Sequence, residues 1–139
     1  MNPQVDSNRI PRTIVSVGQC GFDNSRIRAL IRTIDASVKI RETDSVAETL
    51  ELLAELGDQT ALVLVNRVFD ADGGSGQAFI RTLKSADSGL SLVPVMLVSN
   101  YEKSQAEAIA DGALPGFGKS QIHTEQTRQQ IEMILFQNS

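Results

Sequence analysis

The sequence predicts an α/β domain, a parallel sheet with helices on both faces. Three observations carry this. Stretches of strand character alternate with stretches of helical periodicity five times along the 139 residues. Two of the strands, residues 61–66 and 93–99, are short apolar runs, as expected of strands buried on both faces. No linker, repeat or low-complexity segment divides the chain. Such alternation leads to a parallel sheet joined by right-handed crossovers. One loop after each strand then lies on the same sheet edge. These loops begin at Gly18, Glu42, Asn66, Ser99 and Lys119.

Each element has its own signal. Residues 1–12 are polar, carry Pro3 and Pro11 and lack the apolar centre of a signal peptide, so they read as a flexible leader. The domain proper spans 13–137. Thr13–Val17 is a short strand, and residues 18–24 form a loop. Asn24 or Ser25 can cap the first helix. Ile27, Leu30, Ile31 and Ile34 then share one helical face. In residues 37–42, Val38 and Ile40 alternate with polar neighbours, as in a strand near the sheet edge. Ser45 and Glu48 form a capping-box pattern, and Val46, Leu50, Leu53 and Leu56 carry a second helix to Gly57. After the 61–66 strand, Phe79, Ile80 and Leu83 mark a third helix over 76–85. Pro94 is tolerated near the start of the fourth strand. Ala106, Ile109, Ala110 and Ala113 mark a small-residue fourth helix. The fifth strand, 114–119, is weakened by Pro115, Gly116 and Gly118. The last helix covers 124–137, with Ile131, Ile134 and Leu135 inward.

Composition narrows the function. The net charge of −4 argues against nucleic acid as the main partner, because phosphate binding needs clustered Lys and Arg. Cys20 is the single cysteine, so no internal disulfide forms. No apolar run reaches the roughly 18 residues of a membrane span. A cytoplasmic protein is the expectation. His123 is the single histidine, which excludes any mechanism that needs two. Nor does any histidine pattern support Cys20 as a nucleophile. The motif GQCGFD after the first strand supplies Gly18 and Gly21, but a dinucleotide fingerprint needs three glycines at another spacing. A small nucleotide-binding domain is therefore a minor alternative.

The strand ends carry the chemistry. Asn66 ends the third strand, Ser99 the fourth and Lys119 the fifth, with Gly112 and Ala113 ahead of Lys119. In these residues the chain, over 13–136, resembles the receiver domain of bacterial response regulators. The resemblance implies a flavodoxin-like (CheY-like), doubly wound, five-stranded parallel sheet in the order 2-1-3-4-5. In that family an Asp ends the third strand and accepts a phosphoryl group; Asn66 stands there. The family's Ser or Thr and its Lys, which contact that group, match Ser99 and Lys119. Two acids that hold magnesium are replaced by Gly18 and Gln19. Ser120 follows the Lys where the family usually has Pro, and the loop after Asn66 is longer than usual. Gly116 holds the place of the aromatic switch residue, with Phe117 next to it.

These replacements change what the strand ends can do. Phosphoryl transfer to a carboxylate needs an anionic oxygen, which an Asn side chain lacks. Magnesium prefers oxygen ligands that include carboxylates. With Gly18, Gln19 and Asn66 in place of three acids, no magnesium, other metal or cofactor is expected, and no catalytic residue. Lys119 then turns to Asp23, Asp70 or Asp72, or extends into water. Asp70 and Asp72 are the displaced acids that could restore phosphorylation; the plainer reading of DADGGSG is a turn-rich loop. Ser99 has a plainer reading as a cap for the helix near Tyr101. The expected function is that of an atypical receiver, a pseudo-receiver in a two-component or phosphorelay pathway, acting through protein contact without phosphorylation and not as an enzyme. The resemblance implies the face of the fourth helix, fifth strand and fifth helix for a protein partner or a homodimer.

Overall fold

The computed structural model describes residues 12–137. Its strands are β1 (Thr13–Val17), β2 (Lys39–Thr43), β3 (Thr60–Asn66), β4 (Val95–Val98) and β5 (Leu114–Phe117). Its α-helices are α1 (Gly21–Ile34), α2 (Val46–Leu56), α3 (Gly76–Lys84), α4 (Glu102–Ala110) and α5 (Glu125–Gln137). The strands form one five-stranded sheet in the order β2-β1-β3-β4-β5, and each pairing is parallel. This is the flavodoxin-like arrangement. Of the leader expected over 1–12, residues 1–11 lie outside the described residues. Arg12 pairs with Asp35 at 3.2 Å, and its carbonyl accepts from the Lys39 N–H.

The central strands are buried on both faces, so two apolar layers flank the sheet. Ile14, Leu62, Leu64, Met96 and Val98 meet α1 and α5 through Ile27, Ile31, Ile131 and Leu135. Val15, Val17, Val63, Val65, Val95 and Leu97 meet α2, α3 and α4 through Leu52, Leu53, Phe79, Ile80, Leu83 and Ala108. Alternate residues of one strand thus supply opposite layers, as the period of two requires. Among the described residues no helix is long and apolar enough to cross a membrane.

Three details differ from the sequence reading. Helix α1 begins at Gly21, because the sulfur of Cys20 caps it by accepting from the Asp23 N–H at 3.5 Å. The expected caps, Asn24 and Ser25, lie inside the helix. Helix α4 seats Ala108 on the sheet, while Ala106, Ile109 and Ala110 face outward and Ala113 lies beyond the helix. Finally, β2 runs further along than the 37–42 pattern places it, because Ser37 is held in a turn by the Asp35 carboxylate.

Candidate functional site

The carboxyl ends of the parallel strands meet at one edge, where open α/β sheets place their ligand sites. Asn66 ends β3 there and is buried. Its Nδ2 donates to Gly18 O at 2.9 Å and to Val68 O at 2.7 Å. The first bond ties β3 to the loop after β1; the second turns the chain into the loop after β3. Two carbonyl partners orient the amide unambiguously, since an oxygen facing them would gain nothing. An amide, not a carboxylate, suits this position.

Gly18 has φ of +75°, a conformation that L side chains rarely adopt. A Cβ there would stand 2.4 Å from the Phe69 ring. Phe69 is buried and meets Phe79 edge-on with centroids 6.3 Å apart. The loop that delivers Phe69 is closed on itself: Gly73 N–H donates to Phe69 O and Phe69 N–H to Gly74 O, both at 2.8 Å. Asp72 Oδ1 accepts from the Gly74 N–H at 2.8 Å, an Asx turn. Asp70 is exposed, and its N–H donates to Gly18 O. Neither Asp70 nor Asp72 pairs with Lys119.

Lys119 is taken up by the third acid the sequence offers. Its Nζ lies 3.2 Å from Asp23 Oδ2, and Asp23 is buried in the first turn of α1. Arg26 meets the other oxygen of Asp23 at 3.3 Å and donates to Lys119 O at 2.9 Å. Its Nε donates to His123 Nε2 at 3.2 Å. The cluster ties α1 to the connection between β5 and α5. Ser99 is buried, and its Oγ accepts from the Tyr101 N–H at 3.1 Å, while Tyr101 itself makes no side-chain cap. Asn100 Oδ1 accepts from both N–H and Oγ of Ser120.

An open cleft of about 360 Å³ runs between these loops, lined by Asn66, Val98, Ser99, Asn100, Lys119 and the Arg67–Tyr101 pair. The Arg67 guanidinium lies 4.7 Å from the Tyr101 ring centre, a cation–π contact across the cleft mouth. Gln19 is buried, with neither amide atom hydrogen-bonded among the described residues.

This donor set does not fit magnesium. Gly18 brings no side chain and has no room for one. Asn66 brings a neutral amide in place of a carboxylate, and its N–H groups are taken by Gly18 O and Val68 O. Among the described residues no three His, Cys, Asp or Glu side chains converge as a metal site.

Some important residues carry no recognisable signal in the sequence. Phe69 sits in a polar, glycine-rich loop, and only its being the one aromatic side chain there marks it. Gln105 looks like a surface helix residue. Yet its Nε2 reaches Leu97 O at 2.9 Å and Ser99 O at 3.1 Å, and its Oε1 accepts from Gly116 N. A Cβ at Gly116 would stand 2.0 Å from Leu97 O, so this position admits no aromatic ring without moving β4. Phe117 is buried in the α1–α5 layer.

No protein-family model matches the chain. No curated protein matches it either. Solved structures do. The signal receiver domain of a DNA-binding response regulator from Colwellia psychrerythraea is 16% identical, with a TM-score of 0.71 over 90% of this chain and 98% of that one. The fold is that of a receiver domain. A response-regulator receiver domain from Rhodospirillum rubrum (15% identical, TM-score 0.67) matches 91% of this chain and 94% of its own. The receiver domain of NtrX from Brucella abortus (19% identical, TM-score 0.60) matches 89% and 95%. On this fold Asn66 ends β3, Ser99 directly follows β4, and Lys119 lies two residues beyond β5 rather than at its end, in a 3-10 turn; all three line one cleft.

Proposed function

We propose that the chain is a pseudo-receiver, a receiver-fold signalling domain that recognises a protein partner without taking up a phosphoryl group. The observation that carries this reading is the amide of Asn66. Both its N–H groups are held by backbone carbonyls, of Gly18 and Val68, at the position from which a phosphorylated receiver would offer an anionic oxygen. The neighbouring groups agree with it. Gly18 leaves no place for a metal-binding acid, Lys119 is paired with Asp23, and Ser99 is engaged by the backbone of its own loop. In this reading the domain has no catalytic step, and its partner meets the face of α4, β5 and α5.

Differential scanning calorimetry with magnesium and beryllofluoride tests it. A ligand of the native state raises the melting temperature in step with its occupancy. The expected result is no shift. A saturable rise would overturn the reading, as would radiolabel retained from acetyl phosphate and lost in an Asp70→Asn, Asp72→Asn double variant.

A further inference from the structure

The net charge of the chain is −4, yet one edge of its sheet is cationic. Strand β2 ends the sheet and pairs only with β1. Lys39 N–H donates to Arg12 O, and Thr43 O accepts from Gly18 N–H. Lys39, Arg41 and Thr43 thus turn their backbone groups towards β1. The strand period turns the N–H and C=O of Ile40 and Glu42 outward, where no backbone partner meets them among the described residues. The far edge differs, because Gln130 Nε2 donates to Pro115 O and Gly116 O of β5 at 3.1 Å.

Beside the open edge lies a groove of about 170 Å³ lined by Arg28, Ile31, Arg32, Ala36, Val38 and Ile40. Ile31, Val38 and Ile40 make its apolar floor, and the two arginines its rim. Ile40 packs on the α1–α5 layer, whereas Thr43 bonds Thr49 of α2. Lys39 and Arg41, in step with Thr43, therefore stand on the other face of the strand, exposed. Arg28 pairs with Glu42. Arg32, Lys39 and Arg41 make no ion pair among the described residues. Charge on an edge strand also blocks indiscriminate pairing. That accounts for Lys39 and Arg41, but it does not call for an arginine-rimmed apolar groove in line with Ile40.

We propose that this edge docks an acidic, extended segment of a partner protein, added to the sheet beside β2. Main-chain bonds to Ile40 and Glu42 attach the segment, as in strand addition generally. Its carboxylates meet Arg32 of α1 on one face and, in cross-strand opposite-charge pairs, Lys39 and Arg41 on the other. An apolar residue seats on Ile31, Val38 and Ile40. The site uses no cleft residue, so it stands or falls apart from the reading of Asn66.

The test titrates the full ¹⁵N-labelled chain with a heptapeptide of six glutamates around a central valine, which in a strand presents carboxylates on both faces and the valine on one. The expected result is amide shifts over residues 38–43 and an affinity that falls as salt rises. An Arg32→Glu, Arg41→Glu double variant with an unchanged melting curve binds at least about tenfold more weakly. N-methylation of the peptide at alternate residues abolishes binding in one register and spares it in the other, which charge attraction alone does not do. A lysine–valine peptide that binds equally well overturns the proposal. So do shifts centred on Asn66, Ser99 and Lys119, or the absence of shifts at millimolar peptide. Shifts over β2 that follow protein concentration without peptide assign the edge to a second copy and overturn it too.

Discussion

An Asn and an Asp have nearly the same shape, so the difference between them at residue 66 is one of hydrogen-bond polarity. The buried amide donates to Gly18 O and Val68 O. A carboxylate in its place would face those carbonyls with a lone pair, and only its protonated form could still donate to one of them. Asn66→Asp is therefore expected to destabilise the fold by at least about 2 kcal/mol at neutral pH, the order of a buried polar group left unsatisfied. The sign of its pH dependence follows. Burial beside carbonyls raises the folded-state pKa of the new carboxyl above its unfolded value of about 3.9. Below that value both states hold the proton and the charge penalty is absent. It grows as pH rises towards the folded pKa and is constant above it. Urea unfolding of both proteins from about pH 3.5 to 8 should show the deficit widening upward from about pH 4. A constant or narrowing deficit would show that the amide's donors carry no weight. This preference is half legible in the sequence. Asn66 announces the lost anion, but the carbonyls that demand a donor lie on another loop and on its own.

At the scale of elements, the loop between β3 and α3 replaces a side chain that the loop after β1 does not carry. Phe69 occupies the space above Gly18, and the Asx turn at Asp72 bends the loop so that it can. Gly18→Ala should cost stability through both the left-handed backbone and the collision with Phe69. Phe69→Ala should cost about 3–5 kcal/mol by leaving a cavity beside Phe79. The two losses should not add. Removing the ring relieves the collision but not the backbone strain, so the double variant should be less destabilised than the sum by about 0.5–3 kcal/mol. Denaturant midpoints of the four proteins close that cycle; strict additivity would refute the contact. The helices show why sequence patterns reach only part of this. Strong apolar stripes place α1, α2, α3 and α5, and the burial of Leu53, Leu83 and Ile131 follows from them. Helix α4 has no such stripe. It is seated by Ala108 and by the Gln105 amide, which holds Leu97 O and Ser99 O, and a polar anchor leaves no periodic trace. Cys20 is illegible as a cap for a related reason, since sulfur is a weak acceptor and stands outside the usual capping set.

For the whole molecule, the alternation of elements is enough to predict a parallel sheet, and the resemblance carried by the strand-end residues implies its order. The surface is less legible, because exposure depends on which way each short helix is rotated. Helix α4 is where this matters most. Its apolar residues Ala106, Ile109 and Ala110 contribute little to the molecule's own core, and Ile109 is 44% exposed. On α5, next to β5, Met133 is 70% exposed. In the proposed reading this face meets a partner, and a second copy of the chain is the partner most readily tested. A stable pair buries on the order of 800 Å² on each partner, with an apolar centre and a polar rim. Sedimentation velocity from micromolar to millimolar chain should show a weight-average mass that rises with concentration. Ile109→Glu places a charge at the centre of the face without touching either apolar layer, so its effect on folding should stay within about 0.5 kcal/mol. The variant should remain a monomer throughout that range. If the native chain is also monomeric throughout, the α4 face does not pair with itself and a different protein must cover it. If Ile109→Glu associates as the native chain does, the contact lies elsewhere, and the β2 edge becomes the surface to vary next.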